Sequence, residues 1–301
     1  MLSFIPRSVI LPAMDLTPRP MEKLPPEESA EKEGARQVSV ARFGARSPAA
    51  SADAVAHEEP LEIQIGASPL AVVMRTPGHD EDLALGFLLG EGIVASMAEV
   101  SSVRHCTILS RPEAEDNVVR VTVRPGVDVD LEALRRNLFA SASCGVCGKT
   151  SIESVLKTAP PLEDASVFPA EYLYGLPGRL RSAQAIFSAT GGLHAAGLFD
   201  AGGRLVVARE DVGRHNAVDK VIGWAMRRGR VPLTDHALLV SGRVSFEIVQ
   251  KALAARIPVL AAVSAPTSLA VSLATGAGMT LVGFLRGEGM NVYGRKDRIS
   301  R

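Results

Sequence analysis

Two cysteines separated by two residues, Cys144 and Cys147, carry the most distinctive chemistry in the 301-residue sequence. A thiolate attacks sulfur and binds metals far better than a thiol, so reactivity depends on what lowers the thiol pKa. Lys149 follows the pair, and the capping-box spacing of Thr150 and Glu153 predicts a helix directly after it. A cation and a helix N-terminus both favour the thiolate. The pair is therefore predicted to be a reactive dithiol.

The pair alone leaves three kinds of chemistry open: sulfur carriage, dithiol–disulfide exchange and zinc binding. In a rigid oxidoreductase site the first cysteine begins the helix, whereas here the capping signal follows both cysteines. Gly145, between the cysteines, and Gly148, directly after them, predict a mobile loop, which favours a carrier. Zinc needs two more ligands, and the candidates His105 and Cys106 would point to opposite faces of a strand. We expect no bound zinc; a dithiol–disulfide oxidoreductase and a nucleotide-binding partner protein with a zinc-bound pair remain alternatives.

Composition narrows the class of protein. The 33 Lys and Arg residues balance the 33 Asp and Glu residues, so a net charge of zero gives no overall attraction to nucleic acid. Three cysteines do not suit a secreted disulfide framework, and Cys106 is expected in the core. We find neither a signal peptide nor an apolar run long enough to cross a membrane. We therefore expect a cytoplasmic protein with neither a nucleic-acid nor a membrane partner.

The N-terminal half predicts an α+β domain that follows a polar extension. Residues 1–35 are rich in Pro, Glu, Ala and Ser, which predicts a disordered extension. Mobile chain is expected as far as about Ala56, apart from one strand at 37–43. We place the domain at 36–165, ending with the cysteine loop and the helix after it. Its predicted elements are a hairpin over 61–74, a helix from Asp80, a strand over 118–123, and helices that begin near Asp130 and Ser151.

The C-terminal half alternates between strand and helix patterns. After a Pro-rich connection at 159–169, this alternation predicts an α/β domain over 166–301, with parallel strands joined by right-handed crossovers. The predicted elements are a hairpin over 198–208, helices at 215–227, 245–255 and 268–274, and strands at 237–240, 258–263 and 280–285.

Loops that follow the three predicted parallel strands should meet at one edge of the sheet, where open α/β sheets bind ligands. They contain Ser241–Arg243, Ser264–Ser268 and Arg286–Gly289. Arginines, hydroxyls, glycines and helix N-termini together suit a phosphate or a pyrophosphate. Ordinary turn chemistry is the alternative, but three such loops in register favour a nucleotide or another phosphorylated ligand.

Two further polar segments are ambiguous. Arg209–Asn216, expected in a strand-to-helix turn, fits a site or a solvated charged turn equally well. In Thr190–His194, a lone histidine is more often structural than catalytic. A zinc nucleobase deaminase is not supported, because the Cys pair precedes His194, Ser143 stands where proline belongs, and Ala196 stands where the general-acid glutamate belongs.

Eight segments, in order along the chain from about Pro60, resemble those of the formate dehydrogenase accessory sulfurtransferase family, FdhD. Together they are far more specific than the cysteine pair alone. They are Arg75–Asp80, Leu85–Ile93, Ser143–Lys149, Thr190–His194, Arg209–Lys220, Ser241–Arg243, Ser264–Thr267 and Gly283–Gly287.

The resemblance implies a function and a fold. Such proteins take sulfur from a cysteine desulfurase as a persulfide and pass it to the molybdenum bis(molybdopterin guanine dinucleotide) cofactor, which formate dehydrogenase needs. It implies that Cys144 bears the persulfide, that Cys147 is its partner, and that the protein is a homodimer. It also implies that the C-terminal domain is a three-layer α/β domain resembling the cytidine deaminase fold without its zinc site.

The same resemblance, combined with the loop argument, gives a set of expected cofactor-binding residues. The family's binding segment corresponds to Phe284, Leu285, Arg286, Gly287, Glu288 and Gly289, and the neighbouring loops add Ser241, Gly242, Arg243, Ser264, Thr267, Arg214 and His194.

Overall fold

The computed structural model describes residues 34–43, 49–106, 116–127, 129, 161–163 and 166–300. The predicted helices near Asp130 and Ser151, and the cysteine loop between them, lie outside these residues. These described residues, from Gly34 to Ser300, belong to one compact unit.

The first two strands, β1 (Ala35–Arg42) and β2 (Ala49–Ala56), pair antiparallel along their full length. The prediction of one strand near 37–43 is confirmed, but the prediction of mobile chain up to Ala56 is wrong. β2 is rich in alanine and has little strand propensity of its own, so its pattern gave no signal. Its conformation depends on backbone pairing with β1.

A four-stranded sheet follows, in the order β4-β3-β6-β5, with β3 parallel to β6. The predicted hairpin and the predicted strand over 118–123 are confirmed. Cys106 comes directly after β5; its amide donates to the Val118 carbonyl at 2.9 Å, and it is buried, as expected. The strands are β3 (Glu59–Ile65), β4 (Ser68–Arg75), β5 (Val100–His105) and β6 (Val118–Val123).

A six-stranded sheet forms the centre of the C-terminal half, in the order β13-β12-β11-β10-β8-β9. β10, β11 and β12 are parallel neighbours, which confirms the predicted alternation. A short parallel pair, β7 (Phe168–Pro169) with β14 (Ile299–Ser300), lies apart from it. The six strands are β8 (His194–Phe199), β9 (Leu205–Asp211), β10 (Ala237–Val240), β11 (Val259–Ala262), β12 (Thr280–Arg286) and β13 (Gly289–Gly294).

Helices cover both faces of this sheet. Leu238 in β10 joins a core with α1, α4, α5 and α6, while its neighbour Leu239 joins a separate core with α2. The expected three-layer α/β architecture is confirmed. Neither α2 nor α3 was predicted from the sequence; α2 contains Gly175, Pro177 and Gly178, which mask a helical pattern. The helices are α1 (Asp80–Gly90), α2 (Ala170–Ser182), α3 (Ala185–Thr190), α4 (Arg214–Arg227), α5 (Phe246–Ala254) and α6 (Ser268–Gly276).

Helix α1 is buried along almost its whole length and crosses α4 at two glycines. A Cβ on Gly86 would lie 1.9 Å from the Asp219 carbonyl oxygen, and a Cβ on Gly223 would lie 1.7 Å from that of Asp82. Only glycine fits at either position, because a side chain would overlap the opposing backbone. The two halves of the chain share one hydrophobic core here; the domain boundary near residue 165 stays a prediction.

None of the helices in the described residues is both long enough and apolar enough to span a membrane.

Candidate functional site

The three loops after the parallel strands meet at one edge of the six-stranded sheet. The Val244 amide donates to the Ala265 carbonyl at 3.1 Å, and the Thr267 amide donates to the Val244 carbonyl at 2.9 Å. The Phe284 amide donates to the Ser264 carbonyl at 3.1 Å. The sequence correctly predicted that these loops would meet. Their role in cofactor binding stays a prediction.

The segment 284–289 begins with a β-bulge. The register of β12 and β13 shifts between Gly283 and Arg286, and Phe284 takes a left-handed conformation with φ 54°. As a result, the Phe284 side chain is 43% exposed while Leu285 stays in the core. The exposed Arg286 donates from Nε to the Val263 carbonyl at 3.1 Å. The bulge therefore presents an aromatic ring and a guanidinium together at the sheet edge.

The tail of this segment is a tight exposed turn. Gly287 has φ 54°, which favours glycine; the exposed Glu288 follows it, and the exposed Gly289 is the first residue of β13. Glu288 is the acidic member of the predicted set. Of the loop hydroxyls, that of Thr267 already caps α6 by accepting from the Ala270 amide at 3.3 Å.

The loop after β10 is tied to the start of β8. The Ser241 amide donates to the Ala195 carbonyl at 2.9 Å, and the Ser241 Oγ accepts from the Ala195 amide at 2.9 Å. Gly242 lies against the His194 ring, since a Cβ on that glycine would lie 3.2 Å from Nδ1. Arg243 is exposed beside them. Predicted residues from two distant segments are thus brought into contact.

Two histidines at this edge are held neutral. Burial, and next the charge of Arg214, lower the pKa of His194. Burial, followed by the charges of Arg214 and Lys251, lowers the pKa of His215 to about 3. The His215 Nε2 lies 3.1 Å from the Ser245 Oγ. At neutral pH both rings are uncharged hydrogen-bonding groups, and the positive charge of Arg214 acts on both of them.

Most of the polar segment Arg209–Asn216 has a supporting role. β9 runs through Asp211, so the first three residues are strand and not turn, which differs from the prediction. The Asp211 carboxylate accepts from the Thr76 amide at 3.1 Å and lies 2.6 Å from the Lys220 Nζ, which also donates to the Thr76 carbonyl at 2.7 Å. These buried groups attach the segment before α1 to α4. Arg214, by contrast, has an enclosed Nε without a hydrogen-bond partner in the part of the chain that the structure describes.

A cavity of about 550 Å³ opens between α2, α3 and this edge of the sheet. Predicted residues His194 and Ser241 line it, but Arg181, Gln184 and Phe187 also line it and were not predicted. The Arg181 guanidinium lies over the Phe187 ring, 4.5 Å from its centroid. The sequence carried no motif for these residues, which come together only through α2 and α3. The volume suits a nucleotide-sized ligand.

Cys144 and Cys147 lie outside the described residues. Among those that are described, no group of three or more His, Cys, Asp or Glu side chains is placed to hold a metal ion. The expectation of no zinc at the cysteine pair stays a prediction.

Comparison with known proteins identifies the family. The model of the FdhD/NarQ family matches residues 56–300. This chain belongs to the FdhD/NarQ family. The family match begins at the last residue of β2, so the FdhD/NarQ pattern does not include the rest of the β1–β2 hairpin.

Individual FdhD/NarQ relatives are similar over most of their length. The sulfur carrier protein FdhD of Mycolicibacterium paratuberculosis is 54% identical over 245 residues, covering 80% of this chain and 90% of the relative. The sulfur carrier protein FdhD of Streptomyces coelicolor is 51% identical over 253 residues, covering 82% of this chain and 89% of the relative. A crystal structure of a formate dehydrogenase accessory protein from Desulfotalea psychrophila gives a TM-score of 0.70 at 25% identity, covering 89% of this chain and 100% of that one.

Proposed function

We propose that this protein is a cytoplasmic sulfur carrier that acts as a sulfurtransferase. It accepts sulfur as a persulfide from a cysteine desulfurase and delivers it to the molybdenum bis(molybdopterin guanine dinucleotide) cofactor, its substrate, for formate dehydrogenase. The observation that carries the proposal is the identity of about one half to sulfur carrier proteins over most of the chain. We also propose that it acts as a homodimer.

The loading step needs only a nucleophilic cysteine. The thiolate of Cys144 attacks the outer sulfur of the donor's persulfide, a new S–S bond forms on Cys144, and the donor's S–S bond breaks. The donor leaves as a thiolate, so one sulfur atom moves and no net oxidation occurs. In this proposal Cys147 is the partner thiol within the same loop.

The sheet edge has the chemistry that a guanine dinucleotide requires. Its pyrophosphate suits guanidinium groups, and Arg243 and Arg286 are both exposed at this edge. Arg214 adds a third guanidinium, with an enclosed Nε that no hydrogen bond satisfies within the described residues. The cavity of about 550 Å³ beside them offers space for a base. These features support the edge and the cavity as the place where the substrate binds.

Complementation tests the proposal. In a host that lacks its own family member, the wild-type gene should restore formate dehydrogenase activity, and Cys144→Ala should not. Cys106→Ala is the matched control, because Cys106 is buried and has no proposed role. Full activity with Cys144→Ala would overturn the proposal. Insulin reduction by a reversible Cys144–Cys147 disulfide would favour an oxidoreductase, and zinc in the purified protein would favour the zinc-bound alternative.

A further inference from the structure

Gln184 is a buried amide at the wall of the large cavity. It immediately precedes α3, its exposed fraction is 6%, and it lines the cavity together with Arg181 and Phe187. Its side chain does not cap α3. Within the described part of the chain, no hydrogen bond involves this amide. Because no protein group in the described residues uses it, this amide has its donor and its acceptor free for a ligand in the cavity.

The capping role that Gln184 does not fill belongs to Glu210. The two carboxylate oxygens of Glu210 accept from the Ile186 amide at 3.0 Å and from the Phe187 amide at 2.7 Å. These are the donors that an N-cap side chain would satisfy. Gln184 is therefore not needed to begin α3. Gln184 lines the cavity, and its amide is not among the fully enclosed polar groups that lack a partner in the described residues, so the amide is accessible to small molecules.

The surroundings of Gln184 suit a flat heterocycle. Phe187 provides an aromatic wall, held by the Arg181 guanidinium 4.5 Å from the ring centroid. An amide offers a donor and an acceptor side by side, which complements a ring edge that carries an acceptor beside a donor. Guanine and pterin share such an edge, an oxo group next to a ring N–H. A phosphate or a sugar has neither this edge nor a flat face.

We propose that Gln184 pairs with the oxo and N–H edge of a guanine or pterin ring held against Phe187 in the cavity between α2 and α3. Gln184 is then a specificity-determining residue for the substrate. The choice of this ring class rests on the proposed function, whereas the unpaired amide and the aromatic wall do not.

Calorimetric titration of the full-length protein with GDP and with guanosine tests this proposal. Gln184→Met keeps the length of the side chain and removes both polar atoms. This variant should bind GDP and guanosine more weakly than the wild type by the same factor, about tenfold. The reason is that a bidentate amide–base pair is lost from both complexes. Gln184→Leu provides a second apolar variant. Gln37→Leu, on the exposed face of β1, is the matched control and should bind both ligands as wild type does.

Thermal unfolding without ligand separates binding from structure. Both Gln184 variants should keep the Tm of the wild type or raise it, because removing an unpaired buried amide costs nothing. A lowered Tm would show that the amide supports the fold, which overturns the proposal. Three binding results would also overturn the proposal. The variants could bind GDP as tightly as the wild type does, they could lose affinity for GDP but not for guanosine, or the wild type could fail to bind GDP.

Persulfide loading distinguishes this inference from the proposed function. Gln184→Met should load sulfur from a desulfurase as the wild type does, because loading needs only the cysteine. Absence of loading in the wild type counts against sulfur carriage while leaving the ring pocket standing. Normal loading with unchanged GDP affinity in the variant counts against the pocket alone.

Discussion

Gly86 in α1 packs directly against the backbone of Asp219 in α4; a Cβ there would lie 1.9 Å from the Asp219 carbonyl oxygen. This contact joins the helix that covers the four-stranded sheet to a helix of the six-stranded sheet. Since α4 begins at Arg214, the crossing also fixes one wall of the candidate site relative to the N-terminal half.

Gly86→Ala should therefore destabilise the protein strongly. The added methyl group meets backbone on the facing helix, so α1 and α4 must move apart and lose core contacts. We expect the free energy of unfolding to fall by about 3 kcal/mol, measured by urea denaturation. Gly178→Ala in α2 is the control, because a Cβ there meets nothing within 4 Å; it should be neutral or slightly stabilising. Equal effects of the two substitutions would contradict the crossing.

Lys220→Met should also lower stability. Lys220 and Asp211 are fully buried, and the Lys220 Nζ lies 2.6 Å from the Asp211 carboxylate. Removing the cation leaves a buried carboxylate without its counter-charge, which costs about 3 kcal/mol. The double variant Asp211→Asn with Lys220→Met should regain part of this loss. Arg204→Met, which breaks an exposed pair with Asp200, should cost at most about 0.5 kcal/mol.

His215 should make stability depend on pH. Its pKa is about 3 in the folded protein, where burial outweighs the carboxylate of Glu247 at 3.7 Å, against an ordinary value of 6.5. Between these values the unfolded chain binds more protons, so stability falls as pH drops below 6.5. From pH 7 to pH 5, the wild type should lose about 1 to 2 kcal/mol more than His215→Gln. Urea denaturation at both pH values measures this, and parallel losses in the two proteins would contradict the assignment.

Arg286→Ala and Arg243→Ala should each weaken GDP binding. Both guanidinium groups are exposed at the edge where the three loops meet, and a charge-assisted hydrogen bond to phosphate is lost in each variant. We expect about a tenfold loss for each by calorimetry, with less dependence on salt than in the wild type. Arg204→Ala removes an exposed arginine outside the site and should bind GDP normally. Unchanged GDP affinity in both site variants would place the phosphates elsewhere.

Elements with a strong local pattern were predictable from the sequence. The strands β6 and β10 were predicted with the observed bounds, because β-branched residues dominate β6 and a short apolar run forms β10. The right order of strands and helices then placed Ser241, Ser264 and Arg286 at one edge. Glycine and proline masked α2, and the alanine-rich β2 depends on its partner strand.

The burial of individual polar and charged side chains, unlike local pattern, was not predictable from the sequence. Arg209, Asp211 and Arg214 belong to one charged segment, yet Asp211 is a structural anchor while Arg214 lies at the candidate site. Which of these charged side chains becomes buried depends on how the segment around Thr76 packs against α4. For the same reason, Gln184 could not be identified as a site residue from the sequence, because it lines a cavity that only the packing of α2 and α3 creates.

Mass spectrometry of the Cys144–Cys147 peptide tests sulfur carriage most directly. The purified protein is incubated with a cysteine desulfurase and cysteine, then digested without reductant. A gain of one sulfur atom on this peptide, lost in Cys144→Ala and kept in Cys106→Ala, is the result that we predict. A wild-type peptide that gains no sulfur, or a gain that survives in Cys144→Ala, would contradict the account.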